Sequence, residues 1–218
     1  MTSRCLARSD FQPLLARIFM VRFLFRRTLV VTAAHWCVGA LILAFAVSHS
    51  GAQPGPPPFV SPDFPVPTEY AQPTYKLVPL GPELAKHDYA AYMSSIDHLR
   101  STFTGGNWPH AGLTMKEAVK DVEGEQARFQ ARRSFTYAVL SLDGTTELGC
   151  VYIQPSRKEG YDAAVRLWVT KAQFDAGFDA KLYADMKEWV ATAWPFKKVA
   201  WPKRDISAED WDKLPKKQ

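Results

Sequence analysis

Cysteine is scarce in this 218-residue chain, and once the first quarter is set aside so is any excess of charge. Of the three cysteines, Cys5 and Cys37 precede residue 53, which leaves Cys150 alone in the body of the protein. One thiol cannot form an internal disulfide. A domain of this length buries a core without cross-links, so export to an oxidising compartment stays open. Residues 1–52 hold six arginines (Arg4, Arg8, Arg17, Arg22, Arg26, Arg27) and one acid, Asp10, which accounts for the whole formal charge of +5. The remainder is neutral. A neutral body carries no electrostatic footprint for DNA or RNA, so nucleic acid is not an expected partner.

Charge is also missing from Leu29 to Val47, an apolar run of 19 residues behind Arg22, Arg26 and Arg27. Basic residues ahead of such a run keep the N-terminus inside and send the following chain outward. Ser50-Gly51-Ala52 is a small-x-small site at which a signal peptidase cuts. The run is also long enough to stay as an anchor. Residues 1–52 therefore read as a signal peptide or membrane anchor, with the rest exported or held on the periplasmic side. A start at Met20 would leave a leader of ordinary length; the alternatives are a buried helix, or a wrongly placed start with the domain in the cytoplasm. Phe25-Arg26-Arg27-Thr28-Leu29-Val30 resembles a twin-arginine export signal.

Between positions 54 and 82 stand ten prolines. They favour extended backbone and remove donors, so residues 53–74 are expected as a spacer. A proline-motif ligand is the other reading, but no basic residue flanks a repeated P-x-x-P.

From Tyr75 the pattern changes. Tyr75 to Leu80 reads as a short strand, and Gly81-Pro82 opens a helix whose apolar residues run through about Phe103. Gly105 to Pro109 breaks it. Thr114-Met115-Lys116-Glu117 is a capping box starting a helix to about Arg133. Phe135–Leu140 and Leu148–Ile153 alternate as strands about the Asp143-Gly144 turn. Ala163–Val169 is a third strand. Phe178, Leu182, Met186, Trp189 and Ala193 make one helical stripe ended by Pro195, and Lys198–Trp201 is a last strand. The order β-α-α-β-β-β-α-β predicts an α/β (α+β) domain over 75–202, with a mixed central sheet of about five strands and flanking helices. Residues 203–218 are expected as a loose charged tail with Trp211 docked.

This order, the strand Leu148-Gly149-Cys150-Val151-Tyr152-Ile153 and the strand–helix pair beginning at Asp162 resemble the GCN5-related N-acetyltransferase superfamily. The resemblance implies an acyl-CoA-dependent N-acetyltransferase that uses acetyl-CoA and an amine or other small-molecule substrate. It implies cofactor contacts at the Leu167, Trp168 and Val169 backbone, then at Gln173, Gly177, Phe178 and Lys181 around the next helix start. Amides at a helix N-terminus hold a pyrophosphate there. The motif departs from the family at Phe174, where Arg or Gln belongs, and at Asp179, where a small residue belongs. A carboxylate at that point repels phosphate, with Asp175 adding to it and Lys171 and Lys181 offsetting it. The chain also stops short of the helix and strands that follow the family's fifth strand.

No base is singled out by spacing. Glu147, Tyr152, Asp162 and Arg166 lie on or beside the relevant strands. Arg166 and Trp168 share a strand face, as pocket lining or as an edge charge beside a packed indole. Cys150 reads as an inert buried thiol. His87-Asp88 and Asp97-His98 lack a third ligand, so no metal is expected. Trp189, Trp194, Trp201 and Trp211 read as helix-on-sheet packing, with a carbohydrate or partner surface as the alternative. Two functions follow: an exported or membrane-tethered acetyltransferase, or a non-catalytic extracytoplasmic binding or scaffold domain on the same fold. The oligomeric state is not legible.

Overall fold

Alternating side chains along four strands sort the core into two layers, one on each face of a single sheet. The computed structural model describes residues 57–103 and 106–218. The apolar run Leu29–Val47, the arginines ahead of it and the Ala52 site lie outside them. Among the described residues no helix is long and apolar enough to cross a membrane.

The sheet holds β1 (Tyr70–Ala71), β2 (Tyr75–Pro79), β3 (Phe135–Ser141), β4 (Glu147–Pro155), β5 (Ala163–Val169) and β6 (Val199–Ala200) in chain order. Neighbours are antiparallel except β5 and β6, which are parallel. The mixed sheet expected from the sequence is therefore present, with six strands. The helices are α1 (Ala85–Met93), α2 (Ile96–Thr102), α3 (Met115–Gln130), α4 (Lys171–Asp175), α5 (Phe178–Ala193) and α6 (Ala208–Lys213). Tyr75, Leu77, Phe135, Tyr137, Val139, Val151, Ile153, Val165 and Leu167 pack with Leu182, Met186 and Trp189 of α5. The alternate residues Ala138, Leu140, Cys150 and Trp168 pack with Tyr92, Leu99, Ala118 and Val122 of α1–α3. Period-2 alternation in these four longer strands is what lets one sheet serve both layers. Burial of a side chain such as Leu182 or Met186 contributes about 1.5–3 kcal/mol.

Thr114 caps α3 as expected: its hydroxyl accepts from the Glu117 amide at 3.3 Å, while the Glu117 carboxylate accepts from the Thr114 amide at 2.9 Å. The continuous helix expected from Pro82 to Phe103 is instead divided. A 3-10 turn at Pro82–Leu84 leads into α1, and the chain breaks at Ser94-Ser95 before α2. Serine hydroxyls compete for backbone partners. Ser94 donates to the Ala91 carbonyl at 2.7 Å, and the buried Ser95 hydroxyl accepts from the Lys171 amide at 2.8 Å. The break thus ties α2 to the start of α4.

Two segments expected to stand apart from the domain are part of it. Residues 57–74, read as a spacer, pack on the sheet. Val60 is buried, Phe59 stacks on Phe196 with centroids 4.7 Å apart, and β1 pairs with β2. Arg132 donates to the Ser61 and Phe64 carbonyls at 2.6 and 2.5 Å, and Tyr137 to the Pro67 carbonyl at 2.7 Å. A proline-rich stretch lacks donors but keeps its carbonyls, and donors from the domain fill that demand. The tail, read as loose, forms α6 and docks. The buried Lys158 ammonium donates to the Asp212 and Leu214 carbonyls at 2.9 and 2.7 Å, and Lys158 bridges to Lys216. Trp211 docks beside Tyr161.

Gly149 of β4 lies opposite Val169 and hard against the β5 backbone. A Cβ there would lie 2.1 Å from the Trp168 carbonyl oxygen. Because the obstacle is backbone, no side chain can yield. Gly149→Ala is expected to cost at least 1–3 kcal/mol, on the order of a severe overpacking defect. Urea denaturation would show it as a lower midpoint with an unchanged slope.

Candidate functional site

The pairing of β5 is lopsided. On one side it matches β4 along its whole length, from Ala163 opposite Pro155 to Val169 opposite Gly149. On the other it meets β6 only at Ala163–Val199 and Ala164–Ala200. Beyond Ala200 the chain turns away. Pro202 has no N–H to continue a ladder. Lys203 takes a left-handed φ of 64°, and the Trp201 carbonyl accepts the Arg204 and Asp205 amides, both at 3.1 Å. The Val165–Val169 edge is left facing a cavity of about 410 Å³.

The cavity is closed by the end of α2 (His98 to Phe103), by Phe174 and Asp179, by the Trp201–Arg204 turn, and by Trp211 and Asp212 of α6. Asp162 sets where the opening begins. Its carboxylate accepts the Lys197 and Lys198 amides at 2.8 and 2.9 Å, which hold its pKa below the ordinary value. That clamp fixes the closed end of the β5–β6 pair.

At the other end lies the start of α5. Gly177 is its N-cap with φ 78°, a conformation that favours glycine. The short helix α4, capped by Thr170, fills the stretch just before it. Asp179 in the first turn of α5 is buried and receives a bidentate pair from Arg204, Nη1 at 2.5 Å and Nη2 at 2.7 Å. A carboxylate in the first turn is favoured by the helix dipole, and Arg204 supplies its counter-charge. The charge that the sequence would set against phosphate is thus neutralised, but the carboxylate itself occupies the helix start.

The expected cofactor residues are distributed as follows. Leu167, Trp168 and Val169 line the cavity. Gln173, Gly177, Phe178 and Lys181 are not among its walls, and Phe174 is. Phe178 packs edge-on against Tyr75 at 5.1 Å, and Lys181 pairs with Asp185 at 2.6 Å on the outer face of α5. Arg166 and Trp168 both line the cavity, and Trp168 also donates to the Tyr152 hydroxyl at 3.1 Å. Lys203, Arg204 and Trp211 come from the stretch read as a loose tail, where high charge masked the turn and helix that carry them. His98, read as an ordinary helix-surface residue, lines the cavity with its ring against Phe174 at 4.7 Å. Neither the His98 imidazole nor the Asp212 carboxylate has a hydrogen-bond partner among the described residues.

A second polar group is buried on the α1 face. A bulge in the β3–β4 ladder matches Val139 with Gly149 but Leu140 with Glu147, leaving Leu148 as the extra residue. The bulge reverses the alternation and turns Glu147 to the side of Cys150. There Asp88, Glu147 and Cys150 each bring one potential ligand atom within 4.8 Å of the others. Of the His87-Asp88 and Asp97-His98 pairs visible in the sequence, only Asp88 belongs to this set. Neither Glu147 oxygen has a hydrogen-bond partner. Burial, then the neighbouring Asp88 charge, pushes the Glu147 carboxyl well up. Asp88 rises to about 6, chiefly by burial, and burial also raises the Cys150 thiol. Raised carboxyl pKa values mean that the folded chain holds protons the unfolded chain releases. Their stabilisation is complete below about pH 4 and declines as pH rises through 6 and above. Glu147→Gln is expected to raise the melting temperature at pH 8 and flatten its fall between pH 5 and 8. Melting curves across that range check this.

No protein-family model matches the chain, and no curated protein matches it. Similar solved structures include the ribosomal-protein-S5-alanine acetyltransferase from Vibrio fischeri, at 12% identity and a TM-score of 0.47, with 57% of this chain and 67% of that one covered. Another is the RimL ribosomal L7/L12 α-N-protein acetyltransferase in complex with coenzyme A, at 16% identity and TM-score 0.44, covering 57% and 67%. A third is the microcin C7 self-immunity acetyltransferase MccE in complex with acetyl-CoA and AMP, at 13% and 0.44, covering 56% and 67%.

Proposed function

We propose that residues 57–218 form an acyl-CoA-dependent N-acyltransferase domain of the GCN5-related type, with the cofactor arm lying along the open edge of β5. The observation that carries this reading is the two-rung β5–β6 pairing beside the cavity. It leaves the Val165–Val169 backbone free to bond an amide-bearing chain in the manner of a missing strand. Leu167, Trp168 and Val169 would hold that chain, and a strand-edge N–H would steady the oxyanion that develops at the thioester carbonyl. Acyl-CoA, when bound, would supply the activated acyl group, and His98, which lines the cavity, would take the proton that the acceptor amine loses.

A non-catalytic binding domain on the same fold is the second reading. It is favoured by the Asp179–Arg204 pair, which takes the helix start where a pyrophosphate would seat. The leader reading agrees with it: we place the domain outside the cytoplasm behind residues 1–52, where acetyl-CoA is not the ready metabolite.

Titration of the full chain with acetyl-CoA separates the two. Ligand that binds only the folded state stabilises it, by about 2.7 kcal/mol at a hundredfold excess over Kd. The acyltransferase reading expects a raised melting temperature that His98→Gln preserves, while turnover on an amine falls by about 10²–10⁴. No shift at millimolar acetyl-CoA leaves the binding domain. Location is checked in the native host by fractionation: the expected outcome is membrane-bound or processed protein, and intact chain found only in the cytosol would remove the export proposal.

A further inference from the structure

A second cavity, of about 420 Å³, adjoins the first and shares Arg166 and Trp211 with it. Its walls carry Arg157, Lys158, Arg166 and Lys216, and no carboxylate. Lys158 spends its ammonium on the Asp212 and Leu214 carbonyls. The other three side chains have no hydrogen-bond or ion-pair partner among the described residues. That sets Arg166 apart from Arg128, Arg132 and Arg204, each of which has an acceptor. Arg166 is half-buried on β5. Burial, and then the charge of Arg157, lower its pKa. A desolvated guanidinium beside a second cation, with no acceptor, is costly unless an anion completes it.

The surroundings hold this group in place. The Lys217 amide donates to the Arg157 carbonyl at 2.9 Å, the Glu159 amide donates to the Pro215 carbonyl at 2.9 Å, and Lys158 bridges to Lys216. The docked tail therefore presents Lys216 opposite the loop that carries Arg157. Of the two carboxylates on the same loop, Asp162 is engaged by the Lys197 and Lys198 amides, and Glu159 is exposed and is not among the cavity's walls. Two guanidiniums and an ammonium lining one cavity without a carboxylate suit the planar, bidentate recognition of a carboxylate or phosphate.

We infer that this cavity binds an oxyanion, a carboxylate or phosphate, carried by the acceptor substrate. An acceptor anchored there reaches the acyl-transfer cleft past Arg166, so the favoured acceptors are amines that bear an acidic group. Assigning the anion to an acceptor rests on the acyltransferase reading. The anion site itself does not.

The test uses the full chain, with inorganic phosphate and glutamate as probes against sodium chloride at matched ionic strength, so that general screening cancels. Both probes should raise the melting temperature of the wild type. The double variant Arg157→Gln/Lys216→Gln changes exposed residues that line only this cavity, and should weaken both probes about tenfold or more. Arg166→Lys, which keeps the charge but not the fork, should weaken them by a smaller factor. Acetyl-CoA affinity of the double variant should stay within about twofold of wild type. No stabilisation by either probe, or stabilisation that the double variant retains in full, overturns the site. If the probes bind as expected and acetyl-CoA does not, the anion site stands and the acyltransferase reading fails. If acetyl-CoA binds and the probes do not, the anion site alone fails.

Discussion

The geometry of this protein turns on how β5 is paired. Its bond ladder to β4 runs the full length of the strand, which fixes its twist and buries alternate residues in both core layers. Its ladder to β6 stops after two rungs. A sheet edge left open inside a domain is an unmet demand for hydrogen bonds, and exposed edges in proteins are normally paired, covered or occupied. Here the edge is lined by a cavity, with helices and a tight turn forming its rim. The opening is built in: Asp162 clamps its closed end, and Pro202 with the left-handed Lys203 carries the chain away.

The C-terminal residues complete this arrangement. Trp211 walls both cavities, Arg204 neutralises Asp179, and Lys216 adds a cation to the second cavity. The end of the tail is held in part by Lys158, whose buried ammonium is satisfied by the Asp212 and Leu214 carbonyls and by no carboxylate. A charged group taken from water needs strong partners, and carbonyls at a helix C-terminus are suited to a cation. That lysine, with the backbone bonds between Arg157 and Lys217 and between Glu159 and Pro215, couples the end of the chain to the loop between β4 and β5.

Charge is distributed unevenly across the sheet. The α1 side buries Asp88 and Glu147 with no cation on the Glu147 oxygens, so protons supply the balance. At the other end of β4, beyond Gln154, cations collect without carboxylates. The domain is neutral as a whole, yet it holds an acidic interior site at one end of a strand and a basic cavity at the other.

Local pattern was enough to read much of the framework from the sequence. Ala163–Val169 falls on the residues expected, the Thr114–Glu117 cap forms as its spacing requires, and the stripe from Phe178 to Ala193 is one helix. The neutral charge of the body was also legible. These features depend on side-chain period and on hydrogen bonds a few residues apart, and such signals are complete within a short window. What the tertiary structure decided is everything that depends on a distant partner. Only the fold shows that residues 57–74 and 203–218 are packed, because their anchors are Arg132, Tyr137 and Lys158, far along the chain. Only the ladder reveals the bulge that turns Glu147 inward. The meeting of Asp179 with Arg204, and of Arg166 with Arg157 and Lys216, follows from no spacing, since the contacts are made by elements that the sheet brings together.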